Sequence, residues 1–204
     1  MTPYLQQALT ERATGLALHY PFLHTAILGL GARRTLEFGA GGSTRVFLDA
    51  LPEGATHCSY STETWEQVRD RYGINGPLRA GWTHVQGQSQ NFRHTYPGGV
   101  LDLVLHDGSH AADVVAGDIA WAWPHLRRFG LLLVHDTQHS YCGAEMRAGV
   151  RRGLQEAGAK YTATTLPYGF GLTILRREDG EHPIVPACDK NGSPHRTEPT
   201  EMPL

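Results

Sequence analysis

The sequence predicts an α/β fold: a mostly parallel sheet with helices on both faces and one antiparallel strand at the end. Three observations carry this. Short apolar runs bounded by glycine and polar residues alternate with helix-length segments along the chain, the pattern of a sheet built from βαβ units. A glycine-rich turn, Gly39-Ala40-Gly41-Gly42, follows the first of these runs. The last two runs are joined only by Pro167-Tyr168-Gly169-Phe170-Gly171, too short for a crossover and suited to an antiparallel hairpin.

Residues 2–31 read as helical. Thr2-Pro3 supplies a cap and an N1 proline, and Leu5, Leu9, Ala13 and Leu16 recur at helical spacing. Pro21 interrupts this run, Phe22 to Leu30 resumes it, and Gly31 closes it. Arg34 to Phe38 is the first strand, and Arg45 to Leu51 a helix ended by Pro52. Ala55 to Tyr60 is the second strand and Glu63 to Tyr72 a helix. A loop with Gly73, Gly76 and Pro77 leads to a third strand over Trp82 to Gln86. Leu101 to His106 and Gly130 to His135 are the fourth and fifth strands, joined by a helical stretch over 111–127 that Pro124 divides. Glu145 to Ala157 is a helix capped by Gly158, and Tyr161 to Leu166 and Leu172 to Arg176 complete seven strands. The expected organisation is a helical segment over 1–31 packed on the core, a domain over 32–177, and a polar, proline-studded tail over 178–204 that stays flexible.

With 204 residues, 40% hydrophobic and 19% charged, the chain suits one soluble domain. A formal net charge of −2 gives no support for nucleic-acid binding. The paired arginines, such as Arg33-Arg34 and Arg127-Arg128, fall at element ends, where solvated caps explain them. No run is apolar enough to cross a bilayer. The start, Met1-Thr2-Pro3-Tyr4, lacks the basic and apolar blocks of a leader, and Cys58, Cys142 and Cys188 show no paired spacing. A cytoplasmic location follows as the expectation.

Two segments carry the chemistry. In the first, Glu37-Phe38 precedes the glycine turn and Ser43-Thr44 follows it. Thr44 stands where the dinucleotide fingerprint needs its third glycine, and Glu37 crowds the place a pyrophosphate would take. An acid there suits a ligand bearing a cationic ammonium. Glu63, at the end of the second strand, is placed to accept hydrogen bonds from ribose hydroxyls, and Gln88 and Ser89 after the third strand can flank a base. The alternative for the glycines is a plain strand-to-helix turn.

In the second, the five-residue motif His-Asp-x-x-His occurs twice, as His106-Asp107-Gly108-Ser109-His110 and His135-Asp136-Thr137-Gln138-His139, each time at the end of a strand. Ligands of parallel sheets sit just beyond the carboxyl ends of the strands, so both copies reach one rim. Strand alternation turns His106 away from Asp107, packed or hydrogen-bonded on the opposite face, and sets His135 and Asp136 apart unless the strand has ended. Asp107 either serves the site or caps the following helix, Asp136 likewise, and His139 either joins the cluster or is a solvated loop residue. Trp121 and Trp123 read as core or dimer contacts, Tyr141 and Tyr168 as candidate pocket walls, and Asp102 as a partner of solvent or a helix end.

The turn E-F-G-x-G-G-S-T, the acid ending strand two, L-D-L-V-L-H-D-G-S-H and L-L-L-V-H-D-T resemble class I S-adenosylmethionine-dependent methyltransferases over about residues 30–177. More narrowly they resemble the small group related to macrolide-sugar O-methyltransferases and the cephalosporin hydroxylase family. The resemblance implies a Rossmann-like, doubly wound, seven-stranded sheet whose final strand is antiparallel. It implies that Glu37, Gly39, Ala40 and Gly41 lie against the methionine part of S-adenosyl-L-methionine, Ser43 and Thr44 near its carboxylate, and Glu63 on its ribose. Gln88, Ser89 and Asp107 complete the cofactor set.

It further implies Asp107 as a metal ligand and His110 as the base. The strand-five motif of that group is an acidic pair binding magnesium; here it reads His135-Asp136. Asp136 carries over, whereas His135 departs, and an imidazole ligand tilts the site from Mg²⁺ toward Mn²⁺, Fe²⁺ or Zn²⁺. The expected activity is metal-assisted O-methylation of a small-molecule hydroxyl, such as a sugar or other secondary metabolite. Neither nucleic acid nor membrane is a partner, and the pocket is either open or completed by a second subunit, a homodimer. Two rivals stand beside this reading: a metal-dependent hydrolase or oxygenase built on the His and Asp cluster, and a cofactor-binding fold without catalysis.

Overall fold

The computed structural model describes residues 15–74, 80–91, 96 and 98–179. Its strands are β1 (Arg34–Phe38), β2 (Thr56–Ser61), β3 (Trp82–Gln86), β4 (Leu101–His106), β5 (Leu126–His135), β6 (Tyr161–Leu166) and β7 (Leu172–Arg177). Its helices are α1 (Tyr20–Leu30), α2 (Gly42–Ala50), α3 (Trp65–Tyr72), α4 (Ala112–His125) and α5 (Gly143–Glu156). Short 3₁₀ turns cover Gly15–His19 and Ser89–Asn91.

The strands form one seven-stranded sheet in the order β3-β2-β1-β4-β5-β7-β6. β1 pairs in parallel with β2 and β4, β2 with β3, and β4 with β5. β7 runs antiparallel to both its neighbours, β5 and β6, which is the expected closing hairpin. Chain order reverses between β1 and β4, so the connections leaving them diverge and open a crevice beyond the strand ends.

Alternation along β4 divides the core. Leu103 and Leu105 join Leu23 and Ile27 of α1 and Val46 and Phe47 of α2 on one face. Val104 joins Val115, Ile119 and Trp123 of α4 and Met146 and Val150 of α5 on the other. This parity sets the site, because His106 follows Val104 toward α4 while His135 follows Leu133 toward α1. α5 lies close on α4: a Cβ added at Gly153 would stand 2.6 Å from the Ala116 carbonyl oxygen, so glycine permits that approach.

The boundaries differ from the sequence reading where local chemistry overrode the pattern. Pro21 does not interrupt a helix; it sits in the first turn of α1, where its missing N–H costs nothing. Pro124 ends α4 instead of dividing it, and β5 begins directly at Leu126. β5 is longer than expected because its register against β4 shifts between Leu101 and Leu103, and Phe129 takes a positive φ of 63° within that irregularity. α2 starts at Gly42 immediately after the glycine turn. α3 starts at Trp65 because Thr64 caps it: Thr64 Oγ1 accepts the Gln67 N–H at 3.2 Å and Gln67 Oε1 accepts the Thr64 N–H at 2.8 Å. The Thr2-Pro3 cap, the helix over 2–14, Gly76-Pro77 and the tail from 180 onward lie outside the described residues. Among the described residues, no helix is long and apolar enough to cross a membrane.

Candidate active site

The ends of β1, β2 and β4 are locked together by backbone bonds. Gly39 and Ala40 both donate to the Tyr60 carbonyl, at 2.8 and 3.0 Å, and Asp107 donates to the Phe38 carbonyl at 2.8 Å. Gly39 has φ of +94°, and an added Cβ would stand 2.1 Å from the Asp107 carbonyl oxygen. The first glycine of the turn is therefore required by the strand crossing as much as by any ligand.

Glu37 is fully buried. Its Oε2 accepts from Ser43 Oγ at 2.9 Å, its Oε1 accepts from Thr44 Oγ1 at 2.5 Å, and His57 Nε2 lies 3.3 Å from Oε1. The sequence sets this acid against a ligand ammonium; the structure turns it under the start of α2. Thr44 Oγ1 also accepts the Gly41 N–H at 2.8 Å. Ser43 and Thr44, read as neighbours of a ligand carboxylate, thus spend their hydroxyls shaping the turn.

Beside the turn opens a cavity of about 420 Å³, walled by Phe38, Gly39, Tyr60, Ser61, Thr62, residues 87–90, Gly108, Ser109, Val114 and Asp118. Gln88 and Ser89 lie in its wall, where the sequence put them. Glu63 does not. It stands two residues beyond β2, and its Oε1 meets Arg71 Nη1 at 2.6 Å, so Ser61 and Thr62 take the strand-end position. Asp118 and Val114 escaped the sequence reading. The signal was present: Asp118 is the one acid on the inward stripe of α4, between Val115, Ile119 and Ala122.

The two His-Asp-x-x-His motifs meet at the adjoining rim. His135 Nδ1 lies 3.0 Å from Asp107 Oδ1 and 3.3 Å from Asp136 Oδ1, and His110 Nε2 lies 2.9 Å from Asp136 Oδ2. Strand β5 ends at His135, and Asp136 turns into the left-handed region with φ of 60°. That turn lets consecutive side chains face one spot, which alternation forbids. His135 Nε2 donates to the Gly169 carbonyl at 2.7 Å, and buried His19 packs edge-on against its ring at 5.7 Å.

The other histidines divide. His106 is fully buried with Nε2 at 3.2 Å from Asp118 Oδ2. His139 packs against Phe170 and Tyr141 instead of joining the cluster. Tyr141 is exposed at the rim, and Tyr168 is half exposed and stacked on His19. Asp102 accepts the N–H groups of Arg33 and Arg34 and pairs with Arg127, and Trp123 is core.

Burial works against charging His135, but hydrogen bonds to Asp107 and Asp136 and their charges outweigh it, raising its pKa from 6.5 to about 10. Burial likewise raises Asp136, and the bond to His135 with the charges of His135, His110 and His139 brings it below the usual carboxylate value. A raised His pKa stabilises the fold fully below 6.5, and that stability is lost as pH climbs through about 10. A depressed Asp pKa stabilises above 3.8, and that contribution is lost as pH falls through the folded value. The melting temperature of His135→Gln should therefore fall furthest below wild type under pH 6.5 and rejoin it above about pH 10. A gap that ignores pH would contradict a charged His135.

The same atoms fit a divalent cation. Asp107, His135 and Asp136 each offer a donor atom within 4.8 Å of the others. Two ligands at right angles about 2.1 Å from an ion stand roughly 3 Å apart, close to the separations of His135 Nδ1 from the two carboxylates. An imidazole that gives one N–H to a backbone carbonyl and turns the other nitrogen toward carboxylates is also how a ligating histidine is held. Proton and cation would then compete for Nδ1.

A family model described as a methyltransferase domain matches residues 36–137. No curated protein matches the chain. Among solved structures, the O-methyltransferase TomG from Streptomyces achromogenes, involved in tomaymycin synthesis and bound to S-adenosylmethionine, is 21% identical with a TM-score of 0.63, over 88% of this chain and 91% of that one. Cofactor-bound Rv0187 from MTB is 23% identical with a TM-score of 0.63, over 88% and 92%. The MycE methyltransferase of the mycinamycin pathway, in complex with Mg, S-adenosylhomocysteine and mycinamycin VI, is 15% identical with a TM-score of 0.62, over 90% of this chain and 56% of that one. At these identities the likeness is one of fold. The match over 36–137 takes in the glycine turn, the cavity walls, the first strand-end motif and His135-Asp136 of the second, and by it the chain belongs to the methyltransferase domain family.

Proposed function

We propose that this protein is an S-adenosylmethionine-dependent O-methyltransferase acting on a hydroxyl of a small molecule, with His110 as base. The observation that carries the reading is the contact between two features. A cavity of about 420 Å³ opens beside the glycine turn, and its wall residue Gly108 lies between Asp107 and Ser109 at the edge of the His and Asp cluster.

When bound, S-adenosylmethionine supplies a methyl group on a sulfonium, and a divalent cation supplies charge that eases loss of the acceptor proton. The chain supplies the rest. Phe38, Gly39, Gln88 and Ser89 wall the nucleoside site. Asp107, His135 and Asp136 are the residues that would hold the cation. Asp136 reaches two partners, Oδ1 toward His135 and Oδ2 toward His110. With Nε2 turned to the Asp136 carboxylate at 2.9 Å, His110 has Nδ1 left to take a proton from the acceptor. Transfer of that methyl is a displacement at carbon, and His110 would take the proton that the acceptor hydroxyl gives up. Positioning dominates such an in-line displacement. The side chain of His110 is 45% exposed, as a base facing an incoming acceptor must be.

The free thiols of Cys58 and Cys142 support a reducing, cytoplasmic setting. The exposed aromatics at the rim, Tyr141, Tyr168 and Phe170, support either an apolar acceptor or contact with a second copy of the chain.

The test is methyl transfer from labelled S-adenosylmethionine to a panel of hydroxylated sugars, phenols and macrolides, with Mg²⁺, Mn²⁺ or a chelator. Label in an ether product, greatest with an added metal, agrees with the proposal. Hydrolysis or oxidation of the same compounds without label transfer would favour the rival built on the metal cluster.

A further inference from the structure

We propose that Asp118, on α4, reads the exocyclic 6-amino group of the cofactor's adenine and makes the site selective for adenine over a 6-oxo purine. The inference rests on the cofactor reading above and goes beyond it in naming what recognises the base.

Asp118 is 2% exposed and yet lies in the wall of the cavity beside the glycine turn. Buried carboxylates are rare unless paired. Here one oxygen takes both partners: Oδ2 accepts from Ser89 Oγ at 2.8 Å and lies 3.2 Å from His106 Nε2. Among the described residues no donor reaches Oδ1. A carboxylate held through one oxygen, on a residue that walls the cavity, is a preorganised acceptor for a ligand N–H.

The neighbours fix where that acceptor lies. Ser89 follows Gln88 beyond β3, and both wall the same cavity. Having donated its proton to Asp118, Ser89 Oγ keeps lone pairs for a second N–H. Val114 stands four residues before Asp118 on the same face of α4 and also walls the cavity. An apolar side chain suits the face of a flat ring, and the acid one turn on suits its polar edge. Two acceptors side by side match an amino group with two hydrogens. They repel a carbonyl, which presents lone pairs at the same place.

His106 has a reason in this arrangement. With Nε2–H given to Asp118, its Nδ1 is buried without a partner, so the imidazole spends its only satisfied bond on holding the acid. The first histidine of the first His-Asp-x-x-His motif is thus a positioning residue for base recognition, on the face of the sheet opposite His135.

The experiment is calorimetric titration of the full chain with S-adenosylhomocysteine and with S-inosylhomocysteine, its 6-oxo counterpart. Wild type should bind the adenosyl compound at least about 100-fold more tightly, since a site built to accept from an amine leaves buried acceptors facing lone pairs when the amine is lost. Asp118→Asn can turn its amide N–H toward a 6-oxo group, so its preference should shrink at least about 10-fold, through weaker adenosyl and stronger inosyl binding. Ser89→Ala, which leaves the acid in place, should lower adenosyl affinity by a smaller factor. Equal wild-type affinities for the two compounds would overturn the assignment even if Asp118→Asn does not fold. So would an Asp118→Asn variant that folds and keeps the wild-type preference. Wild type that binds neither compound would overturn the cofactor reading itself and this assignment with it.

Discussion

Replacing His110 with alanine should lower kcat about 10²–10⁴-fold, the usual span for removing a general base, while leaving affinity for S-adenosylhomocysteine close to wild type. The split follows from placement. His110 reaches Asp136 and is absent from the walls of the nucleoside cavity, so the loss belongs to proton transfer. A variant that loses cofactor affinity together with turnover would make His110 a structural residue.

Asp136→Asn should lower turnover at least about 100-fold and destabilise the fold by about 1–3 kcal/mol, the scale of a lost charged hydrogen bond. The substitution suits the test because Asp136 sits at φ of 60°, a region asparagine tolerates, so the backbone is spared. Its carboxylate serves two neighbours, and both are affected. His135 keeps Asp107 at 3.0 Å but loses half its countercharge, while His110 loses the carboxylate beside its Nε2. Removing a carboxylate donor should also weaken Mn²⁺ binding about 10–100-fold or more, read by calorimetry on the folded variant. Metal affinity unchanged by the substitution would remove Asp136 from the cation site.

β4 and the end of β5 were legible as apolar runs closed by polar residues or glycine, and β1, β3, β4 and β6 fall where the sequence reading puts them. The irregular start of β5 was not: Phe129 at positive φ followed by Gly130 reads locally as a turn, and only pairing with Leu101 makes the segment a strand. The convergence of Asp107, His110, His135 and Asp136 was legible as far as topology goes, since both His-Asp-x-x-His motifs end parallel neighbours.

What could not be read was orientation. Alternation correctly turned His106 from the rim, but nothing local announced that Asp136 would take a left-handed conformation and rejoin His135. Glu37 and Glu63 show the converse. Each is an acid at a strand end, and each meets partners brought by tertiary packing, Ser43, Thr44 and His57 for one and Arg71 for the other. Asp118 lies on a helix, away from the strand ends where ligands of parallel sheets gather, although an acid on an apolar helix stripe is itself a cue.

The most direct measurement is diffraction from crystals grown with S-adenosylhomocysteine. The account places the adenosine between Gly39, Gln88 and Val114 and the sulfur toward Asp107. Density for the nucleoside on any other part of the chain, with that crevice vacant and in-solution binding intact, would contradict it.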